Sequence, residues 1–422
     1  VRAGSAGAYY YSGTVLPTIT QDADDTGTDG DYTWYKWTDT GATGSFATSV
    51  TTSFEWLVVG GGGAGYGNRG PGGGGAGGYR TGTTLSLTGG NTYTVTIGAG
   101  GAENGNVGTP GTGGDSILSG TGITTITSTG GGKASSDSSA AGGDGGSGGG
   151  GTAQQSAIGV PGAGNTPAIT QYTAAGETTT VQGYAGGTAY GTGDGTEGGG
   201  GGGGASAVGT NAASGTGGDG GAGYNNDITG STVGYAGGGG GGSNNSSATG
   251  GAATHGGGAG RLRPDGNGNA GSGTANTGGG GGGNPDQSIT GDPGDGGSGV
   301  VILRKVTSAG SSYNDLTLQS TDTTASTANP DYGELVCLIE NSAGTATLNT
   351  DIKGYVSEDS GVTFTQGTFV DEGSWGTNKK IIAFHDLDIS AQSGSSMCYK
   401  ITTHNQSASK ITRVYATSLG WR

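Results

Sequence analysis

The chain has 422 residues, enough for two or three domains, and 107 of them are glycine, whereas glycine averages about 7% of residues in proteins. Its formal net charge is −16 although only 11% of residues are charged, and the few scattered Lys and Arg residues argue against a groove for nucleic acid. No stretch approaches the roughly 18–20 apolar residues of a membrane-spanning helix, and two cysteines are too few for a disulfide framework.

Composition divides the chain into three regions. Residues 1–31 form an N-terminal segment that carries tyrosines and then a run of aspartates, and we interpret it as an attachment segment or the tail of a preceding domain. Residues 32–306 form the glycine-rich region, and residues 307–422 have the composition of an ordinary β domain. The aspartates between Asp22 and Asp31 could hold Ca²⁺, but the loop lacks a glutamate at its twelfth position, which favours a solvated acidic turn.

Strand-like segments frame the glycine-rich region. It opens with Tyr32–Trp37 and Phe54–Val59 and closes with Gly299–Arg304, all rich in β-branched and aromatic residues. Three more such segments lie between them: Thr83–Leu87, Thr92–Ile97 and Ile123–Thr127. A flexible linker has no reason to be bracketed by apolar strands, so we predict a β platform that holds both ends of the region together.

The glycines occur in solid runs without the Gly-X-Y period of collagen. The runs are Gly60–Gly63, Gly72–Gly75, Gly198–Gly204, Gly237–Gly242 and Gly278–Gly283. Extended polyglycine winds as a threefold left-handed helix without internal hydrogen bonds, so each N–H and C=O needs a partner on a neighbouring segment. We therefore predict a bundle of polyglycine II helices, with Ala, Ser, Thr and Asn marking its surface.

Known nucleotide and metal motifs do not explain this sequence. Trp56–Gly65 reads as a strand followed by G-x-G-x-x-G, but the next segment contains Pro71 and a glycine run, which cannot form the helix that holds a pyrophosphate. The histidines His255, His385 and His404 show neither metal-ligand spacing nor a partnered nucleophile. We predict no catalytic residues, no metal and no cofactor, and hence a protein that is not an enzyme.

The order of strands and glycine runs resembles that of glycine-rich domains in tail fibres of tailed bacteriophages. Residues 32–306 carry the resemblance, with the sequences VVGGGG at Val58–Gly63, TYTVTIGAGG at Thr92–Gly101 and GGSGVVILR at Gly296–Arg304. The composition is also similar to that of phage adhesins that bundle polyglycine II helices and bind receptors through loops at the bundle tip.

The resemblance implies an extracellular, non-catalytic structural protein of the virion, either a tail fibre or an adhesin. Its implied partners are a host cell-surface receptor or glycan and other virion proteins, without nucleic acid or membrane insertion, and the implied assembly is a homotrimer. The alternative is a secreted glycine-rich structural or matrix protein, or an ice-binding protein built on the same lattice.

Segments between the glycine runs are rich in Tyr, Asn, Gln and Arg. Such side chains on loops of a rigid scaffold suit the recognition of glycans and protein loops. The candidate receptor-binding residues are Gln154, Gln155, Tyr172, Tyr224, Asn225, Asn226, Tyr235, Asn244, Asn245, Arg261, Arg263 and Asn267.

The C-terminal region shows strand-like runs at short spacing, which predict an antiparallel β-sandwich. The runs are Leu316–Ser320, Glu334–Glu340, Thr345–Val356, Val362–Val370, Lys379–Phe384, Met397–Thr403 and Ile411–Thr417. Strand alternation places Cys398 on the face of Lys400, which we expect to point outward, whereas Cys337 lies in a buried-looking run. We predict that both thiols are free.

Overall fold

In a computed structural model of the chain, the structure describes residues 17–105, 108–137, 140–245, 249–263, 268–285, 291–306, 315–326, 329–407 and 409–422. The protein is all-β, as predicted: its sheets are antiparallel, and none of the described residues forms an α-helix. The chain divides between residues 307 and 308 into two compact units. We call the described residues before this point the first unit and those after it the second unit.

The first unit contains strands β1–β14 and one short 3-10 turn at Thr173–Ala175. The strands are β1 (Ile19–Gln21), β2 (Asp25–Asp29), β3 (Tyr32–Trp37), β4 (Thr43–Thr48), β5 (Thr52–Val59), β6 (Tyr79–Leu87), β7 (Thr92–Thr96), β8 (Ser116–Gly120), β9 (Ile126–Ser128), β10 (Ala153–Gln154), β11 (Ala157–Ile158), β12 (Tyr224–Asn226), β13 (Val233–Tyr235) and β14 (Val300–Val306). Strands β1 and β2 come from the segment 1–31 and pair with β4 and β3.

Two five-stranded sheets frame the glycine-rich region, in the orders β1-β4-β7-β8-β9 and β2-β3-β14-β5-β6. In the second of these, β14 lies between β3 and β5, so Leu303 pairs with both Tyr35 and Trp56. One sheet therefore holds the start and the end of the glycine-rich region together, which confirms the predicted platform. Aromatic side chains fill the core between the two sheets, and the rings of Phe46 and Phe54 meet edge to face at 5.1 Å.

Between these strands, extended segments from residue 60 to residue 299 exchange backbone hydrogen bonds with one another, and we call them together the lattice. In the run 199–204, the segments that accept the backbone N–H groups recur every three residues, with donor–acceptor distances of 2.8–3.1 Å. Gly199 and Gly202 donate to Gly242 and Gly239, Gly200 and Gly203 to Gly151 and Gly148, and Gly201 and Gly204 to Thr210 and Ala207.

The carbonyl groups of the same run repeat the pattern with other neighbours. They accept from Gly218 and Gly221, from Gly73 and Ala76, and from Gly187 and Tyr184. One run thus donates to three segments and accepts from three others. Its backbone polar groups are satisfied by neighbouring backbones, as an extended chain without internal hydrogen bonds requires.

Close approach makes glycine necessary inside the lattice. A Cβ atom built on Gly202 or on Gly280 would overlap the carbonyl oxygen of Gly74, and one on Gly62 would overlap that of Gly279. These obstacles are backbone atoms, which cannot move aside as a flexible side chain could. Any larger residue at such a position would have to push two segments apart.

The prediction that Ala, Ser and Thr mark the lattice surface is wrong at several positions. Ala64, Ala76, Ser147 and Thr152 are fully buried. The hydroxyl of Thr152 explains how a polar side chain is accommodated, because it accepts from Gly72 N–H at 3.0 Å and donates to Ser135 O at 2.7 Å. A side-chain hydrogen bond replaces a backbone one there.

An apolar cluster joins the lattice to the sheet that contains β14. Leu57, Val59 and Ile302 point from this sheet toward the lattice and pack against Ala76 and Tyr235 among others. The alternate residues of β5, such as Trp56 and Val58, point into the core between the two sheets. Burial on both faces explains why the central strands read as nearly continuous apolar runs.

The second unit contains strands β15–β23. They are β15 (Thr317–Gln319), β16 (Thr323–Thr324), β17 (Tyr332–Ala343), β18 (Ile352–Ser357), β19 (Thr365–Gly367), β20 (Val370–Gly376), β21 (Lys379–Asp388), β22 (Ser396–Thr403) and β23 (Ile411–Trp421). The sheets have the orders β15-β22-β18-β19, with β16 also on β22, and β20-β21-β17-β23. Both contribute to one core that includes Leu335, Ile382, Val356 and Ile401, so they form an antiparallel sandwich as predicted.

Both cysteines of the second unit are free, as predicted, and both are buried. The expectation that Cys398 points outward is wrong, because its side chain is 0% exposed. It contacts the side chains of Ser357 and Asp322, which cover this end of β22. Burial raises the pKa of the Cys398 thiol to about 11.

Candidate functional site

The lattice has two ends, which we name by their residues. Segment 60–66 leaves β5 beside β6, where Gly60 N–H bonds to Gly78 O. At its other end, Tyr66 N–H bonds to Gly72 O and Asn284 N–H bonds to Tyr66 O. We call the end at Gly60 and Gly78 the sheet end, and the end at Tyr66 and Asn284 the distal end.

Bridges between neighbouring segments assemble the loops of the distal end. Gly70 pairs with Ala153, Gly198 pairs with both Tyr190 and Ser243, and Ser243 pairs with Leu262. Each of these residues lies where an extended segment ends and a connection begins. The connections therefore form one continuous surface rather than separate loops.

A chain of charged and amide side chains runs across this surface. Glu197 is fully buried, and its Oε2 accepts from Asn244 Nδ2 at 2.8 Å while its Oε1 lies 3.6 Å from Arg69 Nη1. Asn244 Oδ1 in turn accepts from Arg263 Nη1 at 3.1 Å. The buried carboxylate thus orients an amide and a guanidinium at the surface, where they present directional hydrogen bonds.

The hairpin β10–β11 carries two more candidate residues at the distal end. Gln155 is exposed and adopts a positive φ of 56°, and the half-buried Gln154 hydrogen-bonds to the side chain of Tyr66. Ile158, 46% exposed, follows them on the same hairpin. This corner offers amide groups beside an apolar side chain.

Two further candidates at the distal end contact neighbouring loops. The N–H of Asn245 donates to Ser243 Oγ at 3.2 Å, and Arg261 Nη1 donates to Asn269 O at 3.3 Å. The candidate Asn267 lies outside the described residues. The structure therefore brings Gln154, Gln155, Asn244, Asn245, Arg261 and Arg263 to one end of the lattice.

The tyrosine-bearing candidates lie at the sheet end instead. Tyr224 is 41% exposed on the hairpin β12–β13, with its ring 5.0 Å from that of Tyr79, and Asn226 Nδ2 donates to Tyr79 Oη at 2.9 Å. Asn225 beside them is exposed. Tyr235 is only 3% exposed, and burial raises its pKa to about 12, so its side chain packs in the interior rather than meeting a receptor.

Tyr172 is also a packing residue. It contacts the core between the two framing sheets, and its hydroxyl accepts from Thr124 N–H at 3.2 Å. Its own N–H donates to Glu177 Oε2 at 2.6 Å. The side-chain hydroxyl and the backbone N–H of Tyr172 are thus both bonded within the protein. Tyr172 therefore fixes its connection near the sheets rather than facing a receptor.

The acidic segment near the N-terminus is bonded into the framing sheets. Asp22 accepts from Trp37 Nε1 at 3.0 Å, and Asp25 forms an ion pair with Lys36 at 2.8 Å. Across the part of the chain that the structure describes, no three His, Cys, Asp or Glu side chains group into a metal site. Nor does that part contain a helix long and apolar enough to cross a membrane.

A family model described as a glycine-rich domain matches residues 38–305, more than half of the chain. The chain belongs to this family. The glycine-rich domain thus extends from the end of β3 into β14 and includes the lattice and the whole distal end. None of the curated proteins matches the chain.

Two residues of the distal end of the glycine-rich domain, Arg69 and Glu197, were not among the sequence-based candidates. Glu197 stands directly before the run Gly198–Gly204, and Arg69 directly before Gly70 and Pro71. A charged residue beside a lattice run is the signal that could have identified both, because charges are scarce in this region.

Proposed function

We propose that this chain is a structural protein of a tailed-bacteriophage virion, a tail fibre or an adhesin, and that it has no catalytic activity. The lattice is the main support for the proposal, because it is a scaffold that holds the distal connections at the end away from the framing sheets. Partners would be a host cell-surface receptor or glycan at the distal end and other virion proteins elsewhere. The protein would act outside the cell as part of the particle.

The period of three in the hydrogen-bond partners supports polyglycine II as the conformation of the lattice segments. In a threefold helix, successive residues point about 120° apart around the helix axis, because there are three residues per turn. The run 199–204 bonds to three acceptor segments in strict rotation, as such a helix would. Rigid segments of this kind would resist proteases and keep the distal loops in place.

The distal surface supports receptor binding through its directional polar groups. Arg263 and Gln155 are exposed, and the network around Glu197 orients the first of them. Preorganised loops lose little conformational entropy on binding. A homotrimer would present three such surfaces and increase binding through multivalency.

Labelling of purified particles tests the virion assignment. Antibody against this chain, coupled to gold, should decorate the tail or its fibres in electron micrographs. Detection of the chain in a secreted matrix, with no labelling of particles, would support the alternative structural role. Thermal hysteresis of the purified chain would support the ice-binding alternative.

Adsorption assays test the distal surface. Phage carrying Gln155→Ala with Arg263→Ala should show at least about tenfold weaker reversible adsorption to host cells at equilibrium, because two polar contacts worth about 1 kcal/mol each would be lost. The matched control is Asn225→Ala, an exposed amide at the sheet end, which should adsorb normally. Unchanged adsorption of the double variant would contradict the assignment of receptor binding to the distal end.

A further inference from the structure

The second unit contains a pocket that has no part in the lattice. Its volume is about 290 Å³, and it lies where β17 begins and where β21 and β23 end. Its lining residues are Tyr332, Gly333, Glu334, Asp386, Trp421 and Arg422.

An irregularity in the strand pairing shapes this pocket. The register of β17 against β21 shifts between Gly333 and Leu335, and a bulge of this kind re-aims the neighbouring side chains. Asp386 on the opposite strand has a positive φ of 52°, which is uncommon for a residue with a side chain. Arg422 is tied to the sheet because its N–H and C=O both bond to Tyr332 at 3.0 Å.

The lining combines charged acceptors, a charged donor and aromatic rings. Asp386 Oδ1 accepts from Arg422 Nη2 at 2.6 Å, and the Arg422 guanidinium lies 5.0 Å from the centroid of the Tyr332 ring. Glu334 Oε2 lies 3.2 Å from His385 Nδ1. Tyr332 is 40% exposed, while Trp421 packs partly against the core of the sandwich.

We infer that this pocket binds a neutral sugar ring. A sugar hydroxyl both donates and accepts hydrogen bonds, so it can use the carboxylates of Glu334 and Asp386 together with the guanidinium of Arg422. The apolar C–H face of the ring would contact Trp421 and Tyr332. The volume lies just below the usual range for ligand pockets, which suits one ring rather than a large ligand.

Charged ligands fit this lining less well. A cation could use only the carboxylate of Glu334, because Asp386 is already paired with Arg422, and the Arg422 guanidinium also covers a face of Tyr332. An anion would meet the two carboxylates of Glu334 and Asp386. This site goes beyond the receptor surface proposed for the distal end, and it lies on the other unit of the chain.

Titration of the full chain with glucose, galactose and N-acetylglucosamine tests the inference. We expect one of them to shift the indole N–H resonance of Trp421, assigned by its loss in Trp421→Phe, with a Kd of about 1 mM. Asp386→Asn and Glu334→Gln should each weaken that binding at least about tenfold, equal to a loss of about 1.4 kcal/mol. Both sites are exposed or half-buried, and an unchanged Tm would show that the variants fold.

The matched control is Asp371→Asn on the neighbouring strand β20. Asp371 is an exposed carboxylate paired with Lys380, much as Asp386 is paired with Arg422, but it does not line the pocket. Its substitution should leave sugar binding unchanged. The inference is overturned if none of the three sugars shifts Trp421, if the control loses as much affinity as Asp386→Asn, or if tetramethylammonium binds and the sugars do not.

Failure of this test and failure of the proposed function would be distinguishable. Distal-end substitutions are measured by phage adsorption, whereas pocket substitutions are measured by sugar binding to the isolated full chain. A chain that binds sugar in the pocket but labels no particle would support the inference and contradict the virion assignment.

Discussion

Arg80 and Glu177 form a buried, two-pronged ion pair in the first unit. Nε of Arg80 donates to Glu177 Oε1 at 2.7 Å and Nη2 donates to Oε2 at 2.8 Å, with side chains only 7% and 0% exposed. Arg80 Nη1 also donates to Thr127 O of β9 at 3.1 Å. One guanidinium thus joins β6, β9 and the connection that contains Glu177.

Removal of one partner of this pair should be strongly destabilising. Glu177→Ala leaves the Arg80 charge buried without its carboxylate, and such a loss costs about 3–5 kcal/mol. Urea unfolding of the first unit, followed by tryptophan fluorescence, would measure it. Asp25→Ala breaks the exposed pair with Lys36 in the same unit and should change stability little. Similar midpoints for the two variants would contradict the importance of the buried pair.

A single methyl group inside the lattice should disrupt it. Gly202→Ala places a Cβ against the carbonyl oxygen of Gly74, and we expect a loss of at least about 3 kcal/mol, the upper end of the range for overpacking. The control is Gly41→Ala in the loop before β4, where a Cβ would approach only the side chain of Asp39. Unfolding midpoints of both variants against the natural chain provide the comparison.

Hydrogen exchange should distinguish the lattice from a flexible tether. Amides of the run 199–204 and of Gly237–Gly242 donate to neighbouring backbones, so we expect protection approaching that of the framing strands. The exposed turn glycine Gly30 serves as the unprotected reference. Rapid exchange throughout both runs in the intact protein would refute the lattice.

Glu358 should make the stability of the second unit depend on pH. It is fully buried, and neither carboxylate oxygen has a hydrogen-bond partner within the described residues. Burial raises the pKa of Glu358 above its usual 4.5, with smaller contributions from Asp359 and Asp331. A raised pKa means that the carboxyl favours folding when it is protonated, and this contribution is lost as the pH rises through the folded-state pKa.

Glu358→Gln tests this dependence because it removes the charge with little change in shape. We expect the substitution to stabilise the second unit by about 1 kcal/mol at pH 7, with a smaller gain at pH 4. Unfolding curves at both pH values supply the measurement. The exposed Glu372→Gln is the control, and an equal effect of Glu358→Gln at both pH values would contradict the assignment.

The thiols should be unreactive in the folded protein. Burial raises the pKa values of Cys337 and Cys398, the latter to about 11, so the reactive thiolate is scarce at neutral pH. A thiol reagent should label neither cysteine in the native state and both after unfolding without reductant. Absence of labelling in the unfolded, unreduced chain would instead reveal a disulfide.

The framing strands could be predicted because their side chains differ clearly from those of the glycine runs around them. Trp34, Trp56 and Ile302 belong to runs of β-branched and aromatic residues, which report strand formation directly. Strands β1, β2, β4 and β8 were not predicted, since Ser, Thr, Gly, Gln and Asp make up most of their residues and their structure comes from pairing with neighbours. The outward prediction for Cys398 failed for a related reason, because alternation along one strand says nothing about what covers it.

The candidate site was only partly predictable. Segments between the runs were expected to provide the binding residues, yet the sequence did not separate Arg263 at the distal end from Tyr224 at the sheet end. It also missed Glu197, whose burial organises Asn244 and Arg263. The position of a connection along the lattice depends on the direction of the preceding segment, which composition does not encode.

The glycine runs have no side chains to bury and no period for a collagen helix, so their composition predicted that their backbone polar groups bond to one another. Which segments become neighbours is visible only in the folded chain, where Gly202 bonds to both Gly239 and Gly221. Glycine runs are chemically alike, so composition cannot distinguish one possible neighbour from another. Their partners are therefore selected by the strands that anchor their ends and by the directions in which the connections return.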